Sequence, residues 1–179
     1  KPDYIAAHSN MLMLINYLGN QDFQDTLESH VAWQKRVERF SNIRPMAASA
    51  YKDKARIEIA YVSADFREHS IAYFLKPLLA NHNAKKVEVF CYSNNPTIDD
   101  MTLALRALAE HWTDISRLSD KAFAEKIKQD KIDVLVDLSG HTSGHRLATF
   151  LYKPAAIQVT WLGYPNTSGL STMDYRLVD

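Results

Sequence analysis

Residues Ile132 to Leu147 read IDVLVDLSGHTSGHRL. The first five, Ile132 to Val136, form a short apolar run that suits a buried strand. From Ser139 to His145 the chain then carries only serine, glycine, histidine and threonine. Gly140 lets it turn off the strand, and Gly144 to Leu151 reads as a helix whose start Thr142 or Ser143 can cap. The unit is therefore buried strand, polar turn, helix. Such a turn either only connects two elements or also carries chemistry.

Working outward, the same unit recurs. Upstream, Ile57 to Val62 reads as a strand. Ile71 to Leu79 reads as a helix with Ser70 as N-cap. Val87 to Tyr92 reads as a strand, and Met101 to His111 as a helix with Met101, Leu105 and Leu108 on one face. A short strand follows near Trp112 to Ile115. Ser119 then caps a helix in which Leu118 and Phe123 have hydrophobic-staple spacing. Downstream, Ile157 to Leu162 is another strand, and Asp174 to Asp179 reads as one more. Strands that alternate with helices of crossover length imply a parallel sheet covered on both faces. The expected fold class is α/β, a Rossmann-like lobe.

The start of the chain is different. Tyr4, Ile5, His8, Met11, Leu12, Ile15 and Leu18 recur at helical spacing, and Gly19-Asn20 supplies a stop. Phe23, Leu27, Val31, Trp33, Val37 and Phe40 mark a second helix. Residues 1–40 therefore read as a helical hairpin. Residues 41–55, which include Pro45, lose periodicity and read as a linker. Residues 56–179 form the lobe. The start at Lys1-Pro2 and the stop on a strand are read as signs of a piece of a longer protein.

Composition narrows the function classes. The chain has 179 residues, with 21 Lys and Arg against 21 Asp and Glu. This balance, with basic residues scattered, gives no nucleic-acid footprint. No window approaches the ~18 apolar residues of a membrane span. The single cysteine, Cys91, lies in an apolar run and reads as a core residue. One cysteine fits a reducing compartment.

Open parallel sheets bind ligands at the carboxyl ends of their strands. That rule selects the loops Ser63 to Ser70, Ser93 to Thr97, Asp137 to His145 and Gly163 to Gly169. His69 stands just before a helix N-terminus, whose dipole disfavours imidazolium. It either closes a turn or, as a neutral imidazole, serves as a base or sugar-hydroxyl contact. Asp137 either orients the His141 imidazole or caps a loop amide. His145, one turn into the helix, is read as solvent-facing, and His8, His30, His82 and His111 as packing or surface residues. Several motifs fail. Gly140 to Gly144 lacks the ending of a phosphate loop, and no Gly-x-Gly-x-x-Gly follows the first strand. His141 and His145 have no Glu between them, so no metal site is expected. Ser139 and Ser143 lack a nucleophile-elbow frame.

Four stretches, YVSADFREHSIAYFLKPLL, VEVFCYS, KIDVLVDLSGHTSGHRL and KPAAIQVTWLGYPNTSGLSTMDYRLVD, resemble in that order the first half of the catalytic region of the protein O-GlcNAc transferase family. GHT and WLGYPNTSG with MDYR look most like bacterial members and the SPINDLY-type protein O-fucosyltransferases. AAHSNMLMLINYL looks like the segment that joins tetratricopeptide (TPR) repeats to that region. The resemblance covers roughly residues 56–179.

It implies a GT-B architecture of two Rossmann-like lobes with the active site between them. This chain would supply the end of a TPR-type array and the first lobe. It also implies an inverting transfer of a sugar from a nucleotide donor to Ser or Thr of proteins, with no metal and no cofactor. UDP-GlcNAc is the expected donor and GDP-fucose its rival. Protein acceptors, held through TPR repeats, are the expected partners; no nucleic acid or membrane is. A cytoplasmic location follows. By motif, His69 matches a catalytic base or acceptor-site residue. Asp65, Gly140, His141, Thr142, Tyr164, Pro165, Asn166 and Thr167 match the substrate-binding wall. Some members carry Tyr where this chain has His141. Most of the nucleotide would be held by a second lobe, so the isolated piece is expected to transfer no sugar. A non-catalytic TPR-linked interaction module is the competing class.

Overall fold

A computed structural model describes residues 4–19, 22–46 and 54–178. Part of the expected linker, residues 47–53, lies outside the described residues, as do Asn20 of the expected helix stop and Asp179 of the final strand. The elements run α1 (Ile5–Ile15), α2 (Phe23–Ser41), β1 (Ile57–Ser63), α3 (Ser70–Asn81), β2 (Val87–Ser93), α4 (Asp100–Leu108), β3 (His111–Asp114), α5 (Asp120–Gln129), β4 (Val134–Asp137), α6 (Leu147–Phe150), β5 (Ile157–Trp161) and β6 (Tyr175–Leu177).

The six strands form one sheet in the order β3-β2-β1-β4-β5-β6, and every pairing is parallel. This is the doubly wound Rossmann order, with its reversal point between β1 and β4. Register aligns the strand ends there. Ser63 pairs with Ser93, and Val62 with Asp137. The loops that leave these three strands therefore emerge side by side.

Alternation along β1 divides the core between the two faces of the sheet. Ala60 and Val62 join Phe90, Tyr92, Phe123, Ile127 and Phe150 on the α5–α6 side. Tyr61 joins Leu75, Leu105, Val89 and Cys91 on the α3–α4 side. Leu12, Trp33 and Val37 of the helical pair belong to the first of these clusters. The helices thus complete one face of the lobe's own core.

Caps set the helix starts. Ser119 caps α5 through its hydroxyl, as the pattern predicts. Asp99 and Thr102 make a reciprocal capping box on α4. On α3 the cap is His69, in extended conformation, and Ser70 is the first helical residue. The imidazole Nδ1 accepts the Ile71 amide at 3.3 Å, a function that small hydroxyl residues usually serve. The helix expected over residues 144–151 shrinks to α6, because Gly140 and Gly144 both take positive φ and hold residues 139–146 in turns. Its start has no side-chain cap, so neither Thr142 nor Ser143 serves there.

Candidate functional site

Two recesses open at the carboxyl edge, one on each side of the Thr142–Gly144 turn. The first, about 390 Å³, lies at the reversal point between β1 and β4. It is walled by Asp65, Arg67 and His69 after β1, by Asn94 and Asn95 after β2, and by Thr142 to Gly144 after β4. The second, about 360 Å³, lies between that turn and Ile5, Ser9, Asn10 and Trp33 of the helical pair.

In the first recess Asp65 is nearly buried and His69 is half-exposed. Asp65 Oδ1 takes a hydrogen bond from Arg67 Nη2 at 3.2 Å and stands 4.0 Å from His69 Nε2. The cap bond fixes the resting tautomer. Nδ1 accepts from Ile71, so the neutral ring carries its proton on Nε2, toward Asp65. Thr142 shares this recess and donates its hydroxyl proton to the Ser139 carbonyl at 2.8 Å.

The remaining expected site residues gather elsewhere. His141 is 1 % exposed. Its Nε2–H donates to the Ser168 carbonyl at 2.8 Å, and its Nδ1 has no partner among the described residues. Its ring meets Trp33, His30, His145 and Tyr164 edge-on at 5.0–5.7 Å between centroids. Burial pushes its pKa down to about 3, with the neighbouring His145 adding to the effect. Asp137 does not orient this imidazole. Its carboxylate accepts the Ser139 and Gly140 amides and the Thr160 hydroxyl, and burial raises its pKa. Of the two readings of Asp137, amide capping is the one observed.

Tyr164 is the centre of a clamp. Its hydroxyl lies 2.8 Å from His30 Nε2 and 3.0 Å from the Leu12 carbonyl, and it accepts from Asn16 Nδ2 at 3.0 Å. Asn166 donates to Asn16 Oδ1, and Gln34 exchanges two hydrogen bonds with Ser171. Two glycines make the fit possible. A Cβ on Gly140 would stand 2.1 Å from Tyr164 Cβ, and one on Gly169 2.4 Å from the His30 backbone. Thr167 Oγ1 accepts the Gly169 amide, and the Pro165 carbonyl accepts Arg176. Tyr164 and Pro165 also border a third recess of about 550 Å³ with Trp161 and Arg176. Replacing Tyr164 with Phe strips buried His30 Nε2 of its partner and the Leu12 carbonyl of one of its two side-chain donors, Asn16 being the other. The expected loss is about 2 kcal/mol in the urea-unfolding free energy, with the sheet retained. A loss below about 0.5 kcal/mol would remove Tyr164 from the clamp.

His145 corrects the sequence reading. It precedes α6 and is packed inward, with Nε2 2.9 Å from Ser9 Oγ and its ring against Trp33. Burial lowers its pKa to about 4. Three features escape the local pattern. His30 is fully buried in the clamp. Arg146 ties four groups together: Asp120, Asn94 and the carbonyls of Ile115 and Leu118. Arg67 projects into the first recess from a loop that sequence singles out only for its neighbours.

A parallel lobe in this strand order, with a polar crevice at its reversal point, is a Rossmann-like lobe. Residues 35–179 match glycosyl transferase family 41, and the chain belongs to that family. It is 40% identical over 186 residues to an Arabidopsis thaliana protein described as a probable UDP-N-acetylglucosamine–peptide N-acetylglucosaminyltransferase SPINDLY. That match covers 99% of this chain and 20% of the relative. A protein of the same description called SEC, also from Arabidopsis thaliana, is 39% identical over 127 residues, covering 69% of this chain and 13% of the relative. A solved structure of a mutant Thermobaculum terrenum O-GlcNAc transferase superposes with a TM-score of 0.90 at 38% identity. It covers 98% of this chain and 34% of that one. The chain thus spans about a fifth of the length of the SPINDLY relative.

Proposed function

We propose that this chain is the N-terminal catalytic lobe of an inverting protein O-glycosyltransferase, moving N-acetylglucosamine from UDP-GlcNAc to Ser or Thr hydroxyls of proteins. The observation that carries this reading is the Asp65–His69–Thr142 crevice at the reversal point of a family 41 lobe. Residues 1–40 then end a TPR-type array that presents protein acceptors, 41–55 link, and 56–179 form the lobe. A cytoplasmic location belongs to the same proposal; among the described residues no helix is long and apolar enough to cross a membrane.

Within this reading Asp65, His69 and Thr142 contact substrate. Gly140, His141, Tyr164, Pro165, Asn166 and Thr167 serve the site by holding its wall against the helical pair. In its resting tautomer His69 offers a proton from Nε2 and so orients an acceptor oxygen. To act as the base through Nε2, the ring must release the 3.3 Å cap bond and carry its proton on Nδ1. Breaking so long a bond costs only about 1 kcal/mol. Both of the expected roles of His69 are therefore reachable from one position.

The test uses the intact protein that carries this chain together with its second lobe. Isothermal titration with UDP and GDP, followed by transfer from UDP-GlcNAc and GDP-fucose to protein acceptors, is expected to favour the uridine donor. Preference for GDP and transfer of fucose would replace it by the SPINDLY-like reading. Failure with both nucleotides would leave the interaction module. The 179-residue piece alone is expected to transfer nothing, and robust transfer by it would overturn the two-lobe scheme.

A further inference from the structure

The first recess holds few groups still free to bind a ligand. Asn94 donates to the Gly144 carbonyl and accepts from Arg146. Asn95 spends both ends of its amide on Thr97. The Thr142 hydroxyl proton goes to Ser139. Arg67 differs. Its side chain is 43% exposed, and among the described residues its one polar contact is a single Nη2 to Asp65 Oδ1 hydrogen bond at 3.2 Å. Arg146, an arginine serving structure, is nearly buried and makes four contacts.

A half-exposed ion pair held by one long hydrogen bond adds little to stability. A guanidinium has five donors in a planar fork and binds carboxylates and phosphates through two of them at about 2.8 Å. Arg67 is the cation among the residues lining this recess. It stands two residues before the His69 cap, where the positive end of α3 adds to its field. Its partner Asp65 also lies within reach of His69, so it is not stranded when the guanidinium turns away.

We propose that Arg67 is a specificity-determining residue that binds an anionic group of a substrate in this crevice, exchanging its single contact to Asp65 for a two-pronged one. The anion is a carboxylate or phosphate, from an acidic acceptor peptide or from the donor diphosphate. The proposal rests on the transferase reading above.

The experiment compares the intact wild-type protein with Arg67→Ala and Arg67→Lys. KM is measured for the nucleotide sugar, for an acceptor peptide with Asp or Glu beside the target hydroxyl, and for its Asn or Gln counterpart. Losing a charge-assisted pair is expected to change the affected KM by about tenfold or more. A rise in the acidic-to-neutral KM ratio assigns the anion to the acceptor. A rise in donor KM assigns it to the diphosphate. In either case Lys recovers part of the loss, and the effect shrinks as salt rises. Unchanged values in all three arms overturn the proposal. If the wild-type protein transfers nothing, the transferase reading fails by itself. Titration of inorganic pyrophosphate and of the acidic peptide into wild type and Arg67→Ala then still decides, and equal affinities overturn it. Thermal melting checks that both variants fold, as the exposure of Arg67 predicts.

Discussion

Taking the protein from about pH 7.5 to about pH 5.5 is expected to remove about 3 kcal/mol of folding stability through His141 and His145 alone. Both are held neutral in the fold, with pKa values lowered by burial to about 3 and about 4. In the unfolded chain each returns to about 6.5. Their contribution is therefore complete above that value. It drains away as pH falls below it, because the unfolded chain takes up protons that the fold refuses. The loss stops growing only near the folded values. His8 and His30 are lowered by burial too and steepen the slope. The charged groups around the cluster are Arg36, beside His8, and Asp120 and Arg146, beside His145. Asp99, Glu110 and Asp114 have lowered values and weaken the fold only at lower pH. Urea unfolding across this range measures the effect. His141→Gln, which keeps a donor for Ser168, is expected to reduce proton uptake by about one. A stability that is flat between the two pH values would mean the cluster is not closed.

If the proposed transferase reading holds, His69→Asn in the intact protein is expected to lower turnover by about a hundredfold, the lower end of what a positioned proton-transfer or orienting group supplies. Asn is chosen because it is a strong N-cap. It can still accept the Ile71 amide, so α3 keeps its start while the imidazole is lost. His69→Ala removes both and adds about 1 kcal/mol of destabilisation from the missing cap. The two variants therefore separate folding from chemistry. Equal, near-normal turnover in both would remove His69 from the site, and a defect in Ala alone would make it only a helix cap.

The sheet is legible in the sequence because its cues are local. Apolar runs at Ile57, Val87 and Ile157 are each followed by helical periodicity, and Ser119 announces α5 three residues before the amide it caps. The crevice is legible for the same reason: ligand loops follow strand ends in any parallel sheet. What escapes depends on distant partners. His30 and Tyr164 are 134 residues apart and meet through one hydrogen bond. His145 looks exposed on an isolated helix, but Ser9 and Trp33 arrive from the other end of the chain and cover it. The shortening of α6 follows from left-handed glycines whose φ the residue pattern alone does not give. Arg67 differs from Arg146 in its exposure and in how many acceptors the fold brings to it.

The placement of Leu12, Trp33 and Val37 in the lobe's core has a practical meaning for anyone dividing the protein. Periodicity lapses over residues 41–55, but the core cluster joins residues from both sides of that segment. A lobe begun after that segment would uncover His141, His145 and Tyr164, which meet Ser9, His30 and Trp33 of the helical pair. The helical pair closes one side of the lobe, so any division of the protein must keep α1 and α2 with the sheet.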